Sequence, residues 1–520
     1  MSSRNIKSDY LSGHEALRPF YSYPIQSPDF AKVMSDKSFS SDKRAVLHQA
    51  LIEQYEGLVL DVPVQYNIDS LLNDHTYTVT TGHQLGLMGG PLFTVYKVMS
   101  AIRLAEDLSN QYPDKHVVPI FWIHTEDHDF EEINHFYEGF GDKKTYTGSF
   151  SSDTGSHVLE ESIRSLIPSN FEGALKEAWQ EGKTLAEAYR YFFHHLLGKY
   201  GLVILDASHP ELKALFQPVL KRELFDQMAF EAVGKTSREL EGAGYKLQIH
   251  PREINLFYLD EEGRNRITWE DGEFQAVDRE LSWTKQDMQA MIAHSPEKFS
   301  PNVSLRPLYQ ETILPNLAYF GGWGELSYWM QLKGVFDAAG ENFPVVLPRF
   351  SATLFPTILQ SKWEALGLYK QDIIKGMHEI NRMYTPRLWD DERFIELETE
   401  ILDKIEELRG YIDDNISDTL SRSAAALKVK TSNFTANLYK KANRIVRDKH
   451  VEPFKEIQAV KNIVNPDGQV QERVWSLGAL KMNPQQFVEW LKPLVQPLTF
   501  EHWILELPET VKISNDENFI

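Results

Sequence analysis

At 520 residues the chain exceeds one ordinary domain, and its 42% hydrophobic and 25% charged content is that of a folded globular protein. Zero cysteines exclude disulfides, thiolate metal sites and a cysteine nucleophile, so a metal would have to rest on histidines and carboxylates. The formal charge of −21, from 54 basic and 75 acidic residues, disfavours nonspecific binding to nucleic acid or anionic lipid, and an anionic substrate would need a local basic pocket.

The opening MSSRNIKSDYLSGHEALRPF lacks the apolar core of a signal peptide, and no apolar run approaches the roughly eighteen residues of a membrane crossing, so a cytoplasmic protein is expected. Up to about residue 350, short apolar runs alternate with helical patterns, the βαβ signature of an α/β fold with a largely parallel sheet. Strands are expected at 77–81, 117–123, 201–206, 254–260 and 344–348. VVPIFWI and LVILD are apolar nearly throughout, as strands covered on both faces must be. The polar, helical 141–200 and the acidic 261–296 read as insertions into a core of 1–385.

From Trp389 to Ile463 there is one glycine, Gly410, and one proline, Pro453. Leu397, Ile401, Ile405, Leu408 and Ile412 step by three and four, and a second register runs through Phe434, Leu438, Ala442 and Ile445. An antiparallel coiled-coil hairpin over 386–464, turning between Gly410 and Ser423, accounts for this pattern; two helices packed on the core are the alternative. The segment 465–520 is expected to return to the core, with a frayed polar tail beyond Pro508.

Ligands of doubly wound sheets sit beyond the carboxyl ends of the strands, and the polar segments of this chain follow its strands. TGHQLGLMGGP, at 81–91, joins a strand to a helix, where unpaired N–H groups and the helix dipole favour an anion. Gly82, Gly89 and Gly90 serve either a phosphate cradle or a tight turn, His83 and Gln84 add donors, and Lys97 either brings a charge or faces solvent. IHTEDHDF, at 123–130, carries His124, Asp127 and His128; on a helix His124 and His128 would share a face with His135. That spacing suits general acid/base chemistry or a metal, although the order of the zinc-protease motif is absent and no metal site is assigned. A third cluster spans SPNVSLRP and NLAYFGGWGELSYW, with Asn302, Arg306, Gly321, Gly322, Glu325 and Tyr328. There Arg306 suits a carboxylate or phosphate and Glu325 an amine; a packed aromatic corner is the alternative. PVVLPRFSATL ends a strand in Arg349 with Ser351 beyond it, a ligand contact or a surface arginine capping the sheet, and Gln471-Glu472-Arg473 reads as an exposed turn.

In this order YTVTTGHQLGLMGGPLFTVYK, PIFWIHTEDHDFEEINH, FSPNVSLRPLYQETILPNLAYFGGWGELSYW, PVVLPRFSATL, the charged coiled coil and NPDGQVQER resemble the BshC family, cysteine ligases of bacillithiol biosynthesis. The resemblance implies a Rossmann-like core similar to class I aminoacyl-tRNA synthetases and nucleotidyltransferases, with connecting-peptide insertions and a coiled coil that forms a homodimer. It further implies small-molecule substrates, L-cysteine and glucosaminyl malate, joined through an amide in the last step of the pathway. TGHQ would stand where a HIGH-type nucleotide motif stands, in different spelling and with no counterpart of KMSKS. ATP or another adenine nucleotide would activate the carboxyl group, with Mg²⁺ only as its companion. The turn at 82–90 with His83 would then hold phosphates. His124, Asp127 and His128 would orient the amine or take its proton, and Arg306 or Arg349 would hold the malate carboxylates. A nucleotide-binding scaffold acting through the coiled coil and a metal-dependent hydrolase using His124 and His128 are the other readings.

Overall fold

The computed structural model describes residues 4–139, 142–148, 153–261, 263–277, 279–507 and 512–513. They form two compact units, the first of 4–352, 472–503 and 512–513, the second of 353–471 and 504–507. The second unit thus begins well before residue 386, because the helices of 357–388 make their contacts within it. The tail beyond Pro508, expected to fray, lies outside the described residues apart from 512–513.

The core of the first unit is a five-stranded parallel sheet of β1 (Thr76–His83), β2 (His116–Ile123), β3 (Val203–Asp206), β9 (Asn316–Gly321) and β10 (Val345–Pro348). Its order is β3-β2-β1-β9-β10, the doubly wound, Rossmann-like arrangement in which winding reverses between β1 and β9. Central β1 is rich in threonine yet buried, because Thr78 and Thr80 bond Asn316 Oδ1 on β9, at 3.2 and 2.8 Å, and Thr81 bonds Phe320 O. Helix α1 (Leu92–Gln111) follows β1 and α3 (Trp323–Ala339) follows β9, so the two start on either side of the reversal.

Two expectations about strands fail. β9 escapes the reading of the sequence because its NLAYFG runs straight into the glycines that make the segment look like a loop. The run at 254–260 is a strand, β4 (Leu256–Asp260), but outside the parallel sheet. It joins β5 (Gly263–Glu270), β6 (Glu273–Ala276), β7 (Ser282–Trp283) and β8 (Phe299–Pro301) in an antiparallel sheet of order β8-β4-β5-β6-β7. Turn chemistry decides this: Asp271 and Gly272, both at positive φ, close a two-residue hairpin between β5 and β6. Within the presumed insertion at 141–200, whose first residue lies outside the described set, Leu185–Leu197 is the crossover helix between β2 and β3. Phe192 and Phe193 are buried there, and Phe193 packs edge-on against Phe121 of β2.

In the second unit α4 (Asp391–Asn415) and α5 (Asp418–Lys449) run antiparallel, breaking at Ile416 and Ser417. Tyr439 donates to Asp391 near one end, and Lys428 pairs with Glu406 towards the other. Ile395, Ile401, Leu408, Leu427, Phe434 and Ile445 stay exposed, since two helices cannot enclose each other's apolar stripes.

The turn at 86–90 is packed, not open. Gly89 has φ +90°, and a Cβ there would lie 2.8 Å from the Phe192 ring. Gly89→Ala is therefore expected to cost about 1–3 kcal/mol, seen as a lower Tm, while Gly324→Ala, with open space around its Cβ, melts like the parent.

Candidate functional site

β1 and β2 end level, with His83 opposite Ile123, and the N–H of His124 donates to His83 O at 3.0 Å. Gly82 permits this close approach: any Cβ there would be 2.8 Å from His124 Nε2. Beyond these ends, at the reversal, opens a cleft of about 400 Å³. From the strand ends it is lined by Gly82, His83, Gln84, His124 and Asp127, and from the β9 side by Arg306, Gly322, Glu325 and Tyr328, with Lys97 of α1 and Arg349 after β10. Segments more than two hundred residues apart thus share one site, where a doubly wound sheet places its ligand.

Its fixed point is an ion pair. Lys97 is 3% exposed, lies 2.6 Å from Glu325, and also donates to Gly82 O at 3.0 Å. Glu325 in turn accepts from Tyr319 OH and from the N–H of Gly322, both at 2.8 Å. Burial pushes the Glu325 carboxyl up, but Lys97 and the Gly322 N–H outweigh it and hold it at about 2. Lys97 is neither solvent-facing nor a free charge. The nearby His83 ring stacks edge-on against Phe93 at 4.9 Å, and burial first, then the Lys97 charge, pull it down to about 3. His124 is pulled far down by burial and by Arg306, so both imidazoles are neutral at pH 7. Burial would raise Asp127, yet Arg306 and a 3.0 Å bond from Gln84 keep it low and ionised.

Six expected residues lie off the cleft lining. Gly89 and Gly90 sit in the packed turn, where the N–H groups of Gly86, Gly89, Gly90 and Leu92 all donate to protein carbonyls and leave no phosphate cradle. Gly321 is buried at the end of β9. Asn302 bonds Asn255 and accepts from the N–H of Ser304, in the turn before Leu305, the N-cap of α2 (Arg306–Ile313). Ser351 is engaged by Glu472 and His502. His128 is 53% exposed and contacts Arg264, for 124–129 is a loop and the helix after it spans only Phe130–Ile133. The common helical face of His124, His128 and His135 does not exist, and with it goes the geometric basis for a hydrolase metal site; among the described residues no three His, Asp or Glu side chains gather to hold a metal.

Gln471-Glu472-Arg473 corrects another expectation. Far from an exposed turn, Gln471 is fully buried, and Glu472 takes Arg349 at 2.6 Å, Ser351 Oγ at 3.0 Å and the Ala352 N–H at 3.0 Å. Arg349 is therefore committed to a protein carboxylate. Arg473 reaches the cleft over Phe93, at 5.9 Å, with Arg349 at 5.0 Å from the same ring. Arg306 and Arg473 form no ion pair among the described residues. Of the lining residues the sequence missed, Phe93 and Gly324 adjoin motifs it singled out, Glu132 lies just past the 123–130 segment, and only Arg473 carried no signal besides an isolated turn motif.

A family model described as the BshC N-terminal Rossmann-like domain of bacillithiol biosynthesis matches residues 1–350, and one for the BshC C-terminal coiled-coil domain matches 352–507. Relatives named "Putative cysteine ligase BshC" include one from Cytophaga hutchinsonii, 34% identical over 95% of this chain and 94% of its own. Another, from Christiangramia forsetii, is 35% identical over 89% of each chain, and one from Bacillus anthracis is 28% identical over 91% and 92%. A solved structure from Campylobacter jejuni titled "putative arginyl t-RNA synthetase" aligns at 8% identity with a TM-score of 0.20 over 84% of this chain and 100% of its own, a likeness on which nothing rests. No described helix is long and apolar enough to cross a membrane.

Two measurements follow from the electrostatics. Glu472→Gln strands the Arg349 charge and is expected to cost about 3–5 kcal/mol in denaturant unfolding. His83 is depressed from 6.5 to about 3, so between those values the unfolded chain binds the proton that the folded one refuses. Its contribution is thus full above pH 6.5 and lost as pH falls towards 3. Melting temperatures across that window should fall less steeply in His83→Gln than in the parent.

Proposed function

The chain belongs to the BshC family of bacillithiol biosynthesis, and from that premise we propose that it joins the carboxyl group of L-cysteine to the amine of glucosaminyl malate, with ATP activating the carboxyl. The observation carrying this reading is the cleft at the sheet reversal. In a chain of charge −21 it presents Arg306 and Arg473, which have no ion pair among the described residues, beside the paired Lys97 and Arg349, the local cations that anionic substrates need.

A free carboxylate does not form an amide at neutral pH without activation, and that is the chemistry ATP supplies when bound. The residues fit such a group: Arg473 is a cation with no ion pair among the described residues, and the opening N–H groups of α3 at Trp323 and Gly324 face no intrahelical acceptor. These would hold its phosphates in place of the packed 86–90 turn. Ionised Asp127, steadied by Gln84 and by the N–H of His128 at 2.8 Å, would grip the amine and receive its hydrogen. Neutral His83 keeps one N–H to donate to the oxyanion that develops as the amide forms. We place the homodimer expected of the family on the exposed apolar stripe of α4 and α5, whose burial by a second copy would remove Ile401, Leu408 and Phe434 from water.

Purified protein given L-cysteine, glucosaminyl malate and ATP should yield the cysteinyl product by mass spectrometry. His83→Ala is expected to lower kcat by about a hundredfold or more, and full activity in that variant would remove the role given to His83. Sedimentation should find a dimer that Ile401→Glu with Phe434→Glu converts to monomers with the ligase site intact.

A further inference from the structure

Beside the cleft, beyond the ends of β2 and β3, lies a recess of about 30 Å³ lined by Thr125, Glu126, Ser300, Tyr309, Arg264 and Arg306. It shares Arg306, His124 and Asp127 with the cleft, so it forms a side chamber of the same site. A water needs about 10–15 Å³ of such space, which gives the recess room for two oxygen-sized atoms.

Arg264 comes from the antiparallel sheet, which no motif connected with the chemistry. Its guanidinium lies over Phe257 of β4 at 4.0 Å, and it reaches across that strand to β8, donating to Ser300 Oγ and Pro301 O, both at 3.1 Å. A third donor meets His128 Nδ1 at 3.2 Å. These contacts fix the group but leave its charge without an ion pair among the described residues. The acids nearby are engaged elsewhere: Glu126 binds Lys213 at 2.5 Å and Ser300 at 2.6 Å, and Asp127 takes Gln84. Arg264 feels the opposite charges of Glu126 and Asp127 and, after them, the like charge of Arg306, which also has no ion pair among the described residues. Glu126 and Asp127 offset the Arg264 charge through space, and Asp127 that of Arg306, but among the described residues neither acid pairs with either guanidinium, so two half-buried forks line the recess with N–H donors that a bound carboxylate can take.

We infer that the recess takes one carboxylate of the acceptor's dicarboxylic acid arm, held between Arg264 and Arg306. This rests on the ligase reading for the identity of the acceptor. It makes Arg264 a specificity-determining residue contributed by the antiparallel sheet, and assigns that sheet the selection of an acid-bearing amine over a plain amino sugar. A carboxylate could equally come from cysteine, and the two sources separate kinetically.

Arg264→Met should raise KM for glucosaminyl malate by about ten- to a hundredfold, with KM for cysteine unchanged; a rise confined to cysteine would overturn the assignment. Arg264→Lys should recover only part of the loss, because a point charge does not reproduce the fork. Since Arg264 also ties β5 to β8, the parent protein supplies a test independent of folding: it should use methyl glucosaminide, which lacks the acid arm, at least tenfold less efficiently than glucosaminyl malate, and equal use would sink the proposal. Titration with malate alone, followed by calorimetry, separates this proposal from the ligase reading. Malate binding that weakens at least tenfold in both Arg264→Met and Arg306→Met supports the recess even if no product forms, and binding unchanged by either variant, or no binding by the parent, overturns it.

Discussion

The contact between Lys97 and Glu325 ties together the helices that start on opposite sides of the sheet reversal. A buried pair of this kind survives only when its remaining donors and acceptors are satisfied, and here they are, through Gly82 O, Tyr319 OH and the N–H of Gly322. Its consequences run outward. Gly82 is fixed against His124, β9 is fixed against β1, and the nearby ammonium helps keep His83 neutral. A neutral imidazole in a site rich in cations can donate a hydrogen bond without adding to the positive charge that already draws anions in.

The electrostatics of the site depend on commitment as much as on composition. Four cations line the cleft, but Lys97 belongs to Glu325 and Arg349 to Glu472, and these pairs build the walls. Arg306 and Arg473 remain for ligands, joined by Arg264 in the side chamber. A strongly acidic protein can thereby offer a basic interior, because Coulombic attraction inside a cleft walled by protein is governed by the few charges within reach, not by the total.

Much of the fold was legible in the sequence. VVPIFWI and LVILD carried their burial openly, and the three-and-four stepping of 397–412 declared the hairpin. Strand β9 was not legible, since its glycines point to a loop and only its pairing with β1 reveals a central strand. Nor was the placement of 254–260, where a local apolar run cannot tell a parallel sheet from an antiparallel one. At the site, motif positions found eleven lining residues, because strand ends can be read locally. Whether a residue faces the ligand or serves a neighbour is a tertiary matter: Gly89 and Gly90 went to packing, Ser351 to Glu472, and Arg473 and Arg264 arrived from segments with no chemical signature of their own.

The central claim is that one cleft, between β1 and β9, brings the activated carboxyl group and the amine together. A crystal structure with L-cysteine, glucosaminyl malate and a non-hydrolysable ATP analogue tests it most directly. All three are expected in contact across that cleft, with phosphates on Arg473 and the start of α3, the acid arm of the acceptor at Arg306, and the amine at Asp127. Ligands bound elsewhere on the chain, with the cleft left to solvent, would contradict it.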